Sequence, residues 1–156
     1  MNKKIAGFTL VELMMALAIG AILLTIGVPS FTQLIRSNRI TAQTNEFVTS
    51  VNLARSEAIR RGVTINLLSG GGTNWAGGWQ LQVATTAEVL RQSDPLDGTT
   101  SLSSTLNNTT AFAFDSRGYS DSIETLTLCD VDTPIGRQIN IAGTGRVSVS
   151  TINTCP

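Results

Sequence analysis

Three positions near the amino end carry the chain's most pointed chemistry: Gly7, Phe8 and Glu12. Gly7 closes a leader of seven residues, and Glu12 is the one formal charge between Phe8 and Phe31. A cut after Gly7 frees an α-amino group on Phe8, a few residues from the Glu12 carboxylate. Ammonium and carboxylate can then neutralise each other, within one chain or between neighbouring chains. Without such a partner, a carboxylate near the centre of a membrane helix costs about 2.5–3.5 kcal/mol, and less toward the interface. The between-chain option gives assembly a register, because one helix must sit shifted against the next for the charges to meet. The helix by itself does not select between the two.

The element that positions these residues is a helix. The 24 residues from Phe8 to Phe31 make a rod about 36 Å long, enough for a bilayer core of about 30 Å. Lys3 and Lys4 precede it, so the amino end stays cytoplasmic and the chain runs outward. An ordinary signal peptide or plain anchor is the simpler reading. Glu12 argues against it, and so does a small residue placed before the apolar core rather than after it.

Lys4 to Glu12, with Gly7, Phe8 and Glu12 in place, resembles the class III signal of type IV prepilins and type II secretion pseudopilins. The resemblance implies a membrane prepilin peptidase that cuts after Gly7 and methylates Phe8, with Glu12 as the assembly carboxylate. It also implies a bacterial inner-membrane protein with one span and a periplasmic globular domain, later part of a pilus or pseudopilus. Its partners would be other minor and major pilins or pseudopilins.

Beyond the apolar segment, Pro29 predicts a kink rather than a stop, because helical signals resume at once. Ile40, Thr44, Phe47, Val51, Ala54 and Ala58 recur at three and four residues and trace one stripe. Glu57 and Arg61 are spaced for a surface ion pair, and Gly62 reads as the C-cap. Arg55, Arg60 and Arg61 read as a solvated face near the helix's negative end rather than a basic patch. The chain thus divides into a leader (1–7), a membrane or filament-core helix (8–31), an amphipathic stem (32–62) and a globular β domain (63–156).

In the β domain, Val63–Leu67, Trp79–Val83 and, more weakly, Glu88–Gln92 alternate as strands. Gly70–Gly72 is a turn and no phosphate loop, since no Lys–Ser/Thr follows. Ser93–Thr110 reads as a long surface loop with room for short edge strands. Ala111–Phe114, Leu126–Cys129, Arg137–Ile141 and Arg146–Ser150 are further short strands, with Gly143 and Gly145 making a hairpin between the last two. Trp75, Trp79, Phe112 and Phe114 read as core, and Gly77–Gly78 as a bulge or a close backbone approach. The fold class is α+β: a long helix packed on an antiparallel sheet or small sandwich.

The 156 residues balance 11 basic against 11 acidic side chains; without Lys3 and Lys4, 9 oppose 11. Bulk charge therefore gives no reason to expect nucleic acid. Histidine is absent, which removes the commonest general base and metal ligand. No Gly–x–Ser–x–Gly or Cys–His arrangement occurs. Asp115 with Asp121 or Glu124 is the one acid pair to consider, and their neighbours read as turns. The class is non-enzymatic, with no cofactor; a free adhesin or plain membrane-anchored binding module is the other reading. Cys129 and Cys155 most simply form one disulfide outside the cytoplasm, pinning the tail to the body. Two free thiols are the alternative, and a zinc site lacks further ligands. Asp130 and Asp132 read as solvated turn acids and hold no metal.

Asn52–Gly62, Trp75–Trp79, Phe112–Gly118 and the pairs Gly136–Arg137 and Gly145–Arg146 resemble the GspH/FimT group of minor pilins and pseudopilins. That resemblance implies a minor pilin that initiates or caps a type IV pilus, used for attachment, twitching or DNA uptake. The pseudopilus tip of type II secretion is the alternative. Some pilus members bind DNA through Gly–Arg–x–Arg, which here reads Gly145–Arg146–Val147–Ser148, without the second arginine. Strong phosphate binding needs several contacts. Arg137 and Arg146 could supply two if adjacent strands brought them together, which leaves DNA a possible but unfavoured partner.

Overall fold

A computed structural model describes residues 8–104, 109–131 and 135–155. Gly7, Asp132 and the rest of the leader lie outside them. Helix α1 (Leu10–Arg61) is followed by strands β1 (Ile65–Ser69), β2 (Trp79–Val83), β3 (Val89–Ser93), β4 (Thr100–Ser104) and β5 (Ala111–Phe114). β6 (Glu124–Asp130), β7 (Gly136–Ile141) and β8 (Val147–Ile152) complete the chain. It divides into two compact units, one ending at Ile35 and the other beginning at Arg36.

In the first unit α1 is apolar on every side, and Leu13, Leu17, Leu23, Leu24 and Phe31 are all exposed. One 18-residue window has a mean hydropathy of 2.3, with none of it buried. Pro29 lies inside the helix and does not end it.

In the second unit the stripe expected on α1 is buried along its whole length, from Ile40 through Phe47 to Ala58. The helix ends at Gly62, whose φ of 68° lets its amide reach the Ala58 carbonyl at 2.9 Å. Eight antiparallel strands follow in two sheets, ordered β3-β2-β1-β5 and β4-β6-β7-β8. Alternate residues of both sheets join the helix stripe in one hydrophobic core. Phe47 is its hinge point: its ring meets Trp75 edge-on at 5.6 Å and Trp79 at 5.0 Å. Trp75 in turn lies 5.4 Å from Phe112. All four aromatics expected in the core are there.

The short edge strand for which Ser93–Thr110 left room is β4, which pairs along its length with β6 and buries Thr100, Leu102 and Ser104. Its hydroxyls hide the alternation, because only Leu102 is apolar. Asp130 is not a solvated turn residue but the buried last residue of β6, and Glu124, also read as a turn neighbour, is the buried first residue. Both carboxylates are supported by partners from distant chain. Arg39 donates to Asp130, which also accepts from the Thr99 hydroxyl at 3.0 Å. Ser104 and Thr109 hydroxyls donate to Glu124 at 3.1 and 2.9 Å.

Cys129 and Cys155 form a disulfide with Cα atoms 5.8 Å apart. Gly136 lies against it: a Cβ there would sit 2.8 Å from the Cys155 sulfur and 2.7 Å from the Leu128 carbonyl oxygen. Only glycine lets β7 start so close to the bridge.

Two stability changes follow. Phe47→Ala removes the ring shared by both tryptophans, and chemical denaturation should show a loss of about 3–5 kcal/mol. Cys155→Ser opens a loop of sequence separation 26, and the same measurement should show a loss of about 3.5 kcal/mol on the chain-entropy account. An unchanged midpoint in either variant contradicts the packing described.

Candidate functional site

The amino-terminal site is built by a helix start. The Thr9 hydroxyl accepts from the Glu12 amide at 3.2 Å, and the Thr9 carbonyl from the Leu13 amide at 3.1 Å. Thr9 is therefore the N-cap and Glu12 the third residue of the first turn, where an acid favours the positive end of the helix dipole. Charge alone does not point to Thr9. Its signal is the Thr–x–x–Glu spacing before an apolar run. Phe8 and Leu13 flank this cap and are both exposed, and Glu12 makes no ion pair among the described residues. Phe8 precedes the cap and lies outside the helix, which begins at Leu10.

In the body, Arg137 and Arg146 do not converge. Arg137 pairs opposite Thr151 and donates to its hydroxyl at 2.7 Å. Arg146 is exposed at the other end of the β7–β8 hairpin, where its carbonyl accepts from the Ala142 amide. Five strand residues separate the two levels, roughly 16 Å. Gly145, the other half of that Gly–Arg pair, has a packing reason. Its φ is 74°, and an added Cβ would strike the Gly118 carbonyl oxygen and lie 2.8 Å from the Arg55 Nε. Arg55 itself is no solvated-face residue: its Nε donates to the Gly118 carbonyl at 3.0 Å. It thus holds the turn after β5 and packs against the β7–β8 turn. No sequence spacing reveals this, since 63 residues separate donor and acceptor.

Arg60 and Arg61 do sit at the surface. Both bind Glu57, and Arg61 also reaches Glu88. Hydrogen bonds from Arg60 and then Arg61 hold the Glu57 carboxyl below its ordinary range. The acids proposed as a pair are occupied elsewhere. Asp115 accepts from the Tyr119 and Arg117 amides, each at 2.9 Å, and its carboxyl is lowered chiefly by the Tyr119 bond. Asp121 accepts from the Ala113 amide at 2.9 Å. Among the described residues no cluster of His, Cys, Asp or Glu is arranged to hold a metal.

A capped apolar helix that continues into an amphipathic one, packed on antiparallel sheets closed by a disulfide, is the pilin-like arrangement. Residues 43–145 match the family model described as Type II transport protein GspH, and residues 2–28 match the prokaryotic N-terminal methylation motif. The chain belongs to the GspH family of minor pilins and pseudopilins. In fold it is similar to the type IV minor pilin FimU of Pseudomonas aeruginosa, at a TM-score of 0.69 and 19% identity over 79% of this chain and 99% of that one. It is also similar to the minor pseudopilin EpsH of the Vibrio cholerae type 2 secretion system, at 0.57 and 13% over 72% and 96%. Comparison with curated proteins gives no match.

Asp115 yields a pH dependence. Its folded-state pKa lies below the unfolded value of about 3.9, so its contribution to stability is full above that pH and fades as pH falls through the folded value. Asp115→Asn should make acid unfolding shallower below about pH 4, as followed by circular dichroism. An identical acid transition contradicts the turn's role.

Proposed function

We propose that this chain is a non-enzymatic minor pilin of a type IV pilus, anchored in the bacterial inner membrane before assembly and helping to initiate or cap the filament. Prepilin peptidase cuts between Gly7 and Phe8, and Phe8 is N-methylated. Glu12 then meets an amino-terminal ammonium, and the helix passes from the bilayer into the filament core without ever exposing an unpaired charge to hydrocarbon. The observation that carries this reading is Glu12 itself: one carboxylate without an ion pair among the described residues, one turn into a helix whose apolar side chains are exposed. The fold shared with FimU supports the pilus assignment.

A second reading, a minor pseudopilin of type II secretion, is favoured by the description of the matched family and by the likeness to EpsH. DNA binding is the weaker addition, because Arg137 and Arg146 lie at opposite ends of the β7–β8 hairpin, roughly 16 Å apart, and do not converge on one phosphate.

Mass spectrometry of the native protein should find N-methylphenylalanine at position 8 as the first residue; a chain starting at Met1 removes the proposal. Glu12→Ala should reach the membrane folded yet drop from sheared filaments by about tenfold or more, because it leaves the partner ammonium without a counter-charge in apolar surroundings. Deleting the gene separates the two readings: loss of surface pili supports the first, and loss of secreted enzymes with pili intact supports the second.

A further inference from the structure

Two four-stranded sheets have four edges, and among the described residues three of them carry an irregularity, a charge or a cover. On β3 the pairing with β2 shifts register between Leu81 and Gln82, and the strand carries Arg91. On β4 an isolated bridge from Asn74 to Ser103 covers the outer side. On β5 the Asp121 carboxylate and amide take up the Ala113 amide and carbonyl at 2.9 and 3.0 Å, and Phe114 bridges to Ser120. Natural sheets protect their edges by such irregularities, charges and covers, because unpaired backbone groups recruit other strands.

Among the described residues β8 has none of these protections. Its six residues, Val-Ser-Val-Ser-Thr-Ile, contain no charge and no proline, and they pair with β7 in unbroken register. Residues 148 to 151 are exposed. The Ala142 amide bonds to the Arg146 carbonyl, so by antiparallel alternation Ser148, Ser150 and Ile152 bond to β7. Val147, Val149 and Thr151 then turn their amides and carbonyls outward. The charged side chains of the β7–β8 hairpin are Arg137 and Arg146, one level with Thr151 and the other at the turn before Val147.

We propose that β8 is a strand-addition site for a neighbouring subunit of the same fibre, which supplies an extended, antiparallel segment with an acidic residue at one end or both. Main-chain bonds to Val147, Val149 and Thr151 give affinity, and Arg146 and Arg137 select acidic flanks. A phosphate backbone fits less well, because it cannot satisfy outward amides and carbonyls together. The proposal rests on the reading of this chain as a fibre subunit.

The test compares full-length chain in detergent with sheared native fibres, by hydrogen exchange resolved to single amides. In the isolated chain Val147, Val149 and Thr151 should exchange fast beside protected Ser148 and Ser150; in fibres all should be protected. Val149→Pro removes an outward donor without touching the β7 ladder, and Val149→Lys places a charge on the edge. Each should lower fibre incorporation by about tenfold, the scale of one or two lost hydrogen bonds, with amino-terminal processing and the disulfide intact. If wild type enters fibres while the three amides stay fast and both variants enter equally, the edge proposal fails alone. If wild type enters no fibre, the assembly reading fails with it. Protection that rises with concentration of the isolated chain assigns the edge to a second copy and overturns the proposal. Protection by duplex DNA that Arg146→Ala abolishes does the same in favour of nucleic acid.

Discussion

Everything in this molecule answers to one constraint on α1: a single helix must be stable with its apolar surface in two kinds of surroundings. Up to Ile35 it is apolar all round, and large side chains such as Leu13, Leu17, Leu24 and Phe31 are exposed, which in water would be untenable and in lipid is the favoured state. From Arg36 onward only one stripe is apolar, and that stripe is buried against the tryptophans and the sheets. The length of the element, 52 residues, is the sum of two ordinary requirements. Thr9 sets where it begins and Gly62 where it ends.

Polar bonds refine what hydrophobic burial leaves loose. Along one flank of α1, Arg39, Gln43 and Glu46 bind Asp130, the Asp97 carbonyl and the Ser93 hydroxyl. This rail holds a stretch too poor in apolar residues to hold itself. Arg55 does the same for the turn after β5. The two buried acids of β6 sit on its core-facing side with Leu126 and Leu128 between them. A buried carboxylate without partners would be strongly destabilising, so each fixes the chain segments that neutralise or hydrogen-bond it. In this family member the glycines of the two Gly–Arg pairs serve packing. Gly136 makes room for the disulfide, and Gly145 for Arg55 and the Gly118 carbonyl.

The amino-acid sequence by itself determined the helix, its change of character, its C-cap, the aromatic core and most strands. Each of these is a local pattern, legible because side-chain period and backbone geometry are coupled over a few residues. β2 ran from Trp79 to Val83 as the alternation indicated, and the Phe47 stripe was buried as spaced. The Thr9 cap was also local, though easily overshadowed by the charge at Glu12. What only the tertiary structure decided were meetings across long stretches of chain: Arg39 with Asp130, Arg55 with Gly118, and the separation of Arg137 from Arg146. The same holds for β4, whose serines and threonines look like loop until β6 lies beside them, and for β8, whose place at a sheet edge only the strand order reveals. Pairing between distant segments depends on which surfaces the fold brings together, and no residue spacing along the chain encodes that proximity.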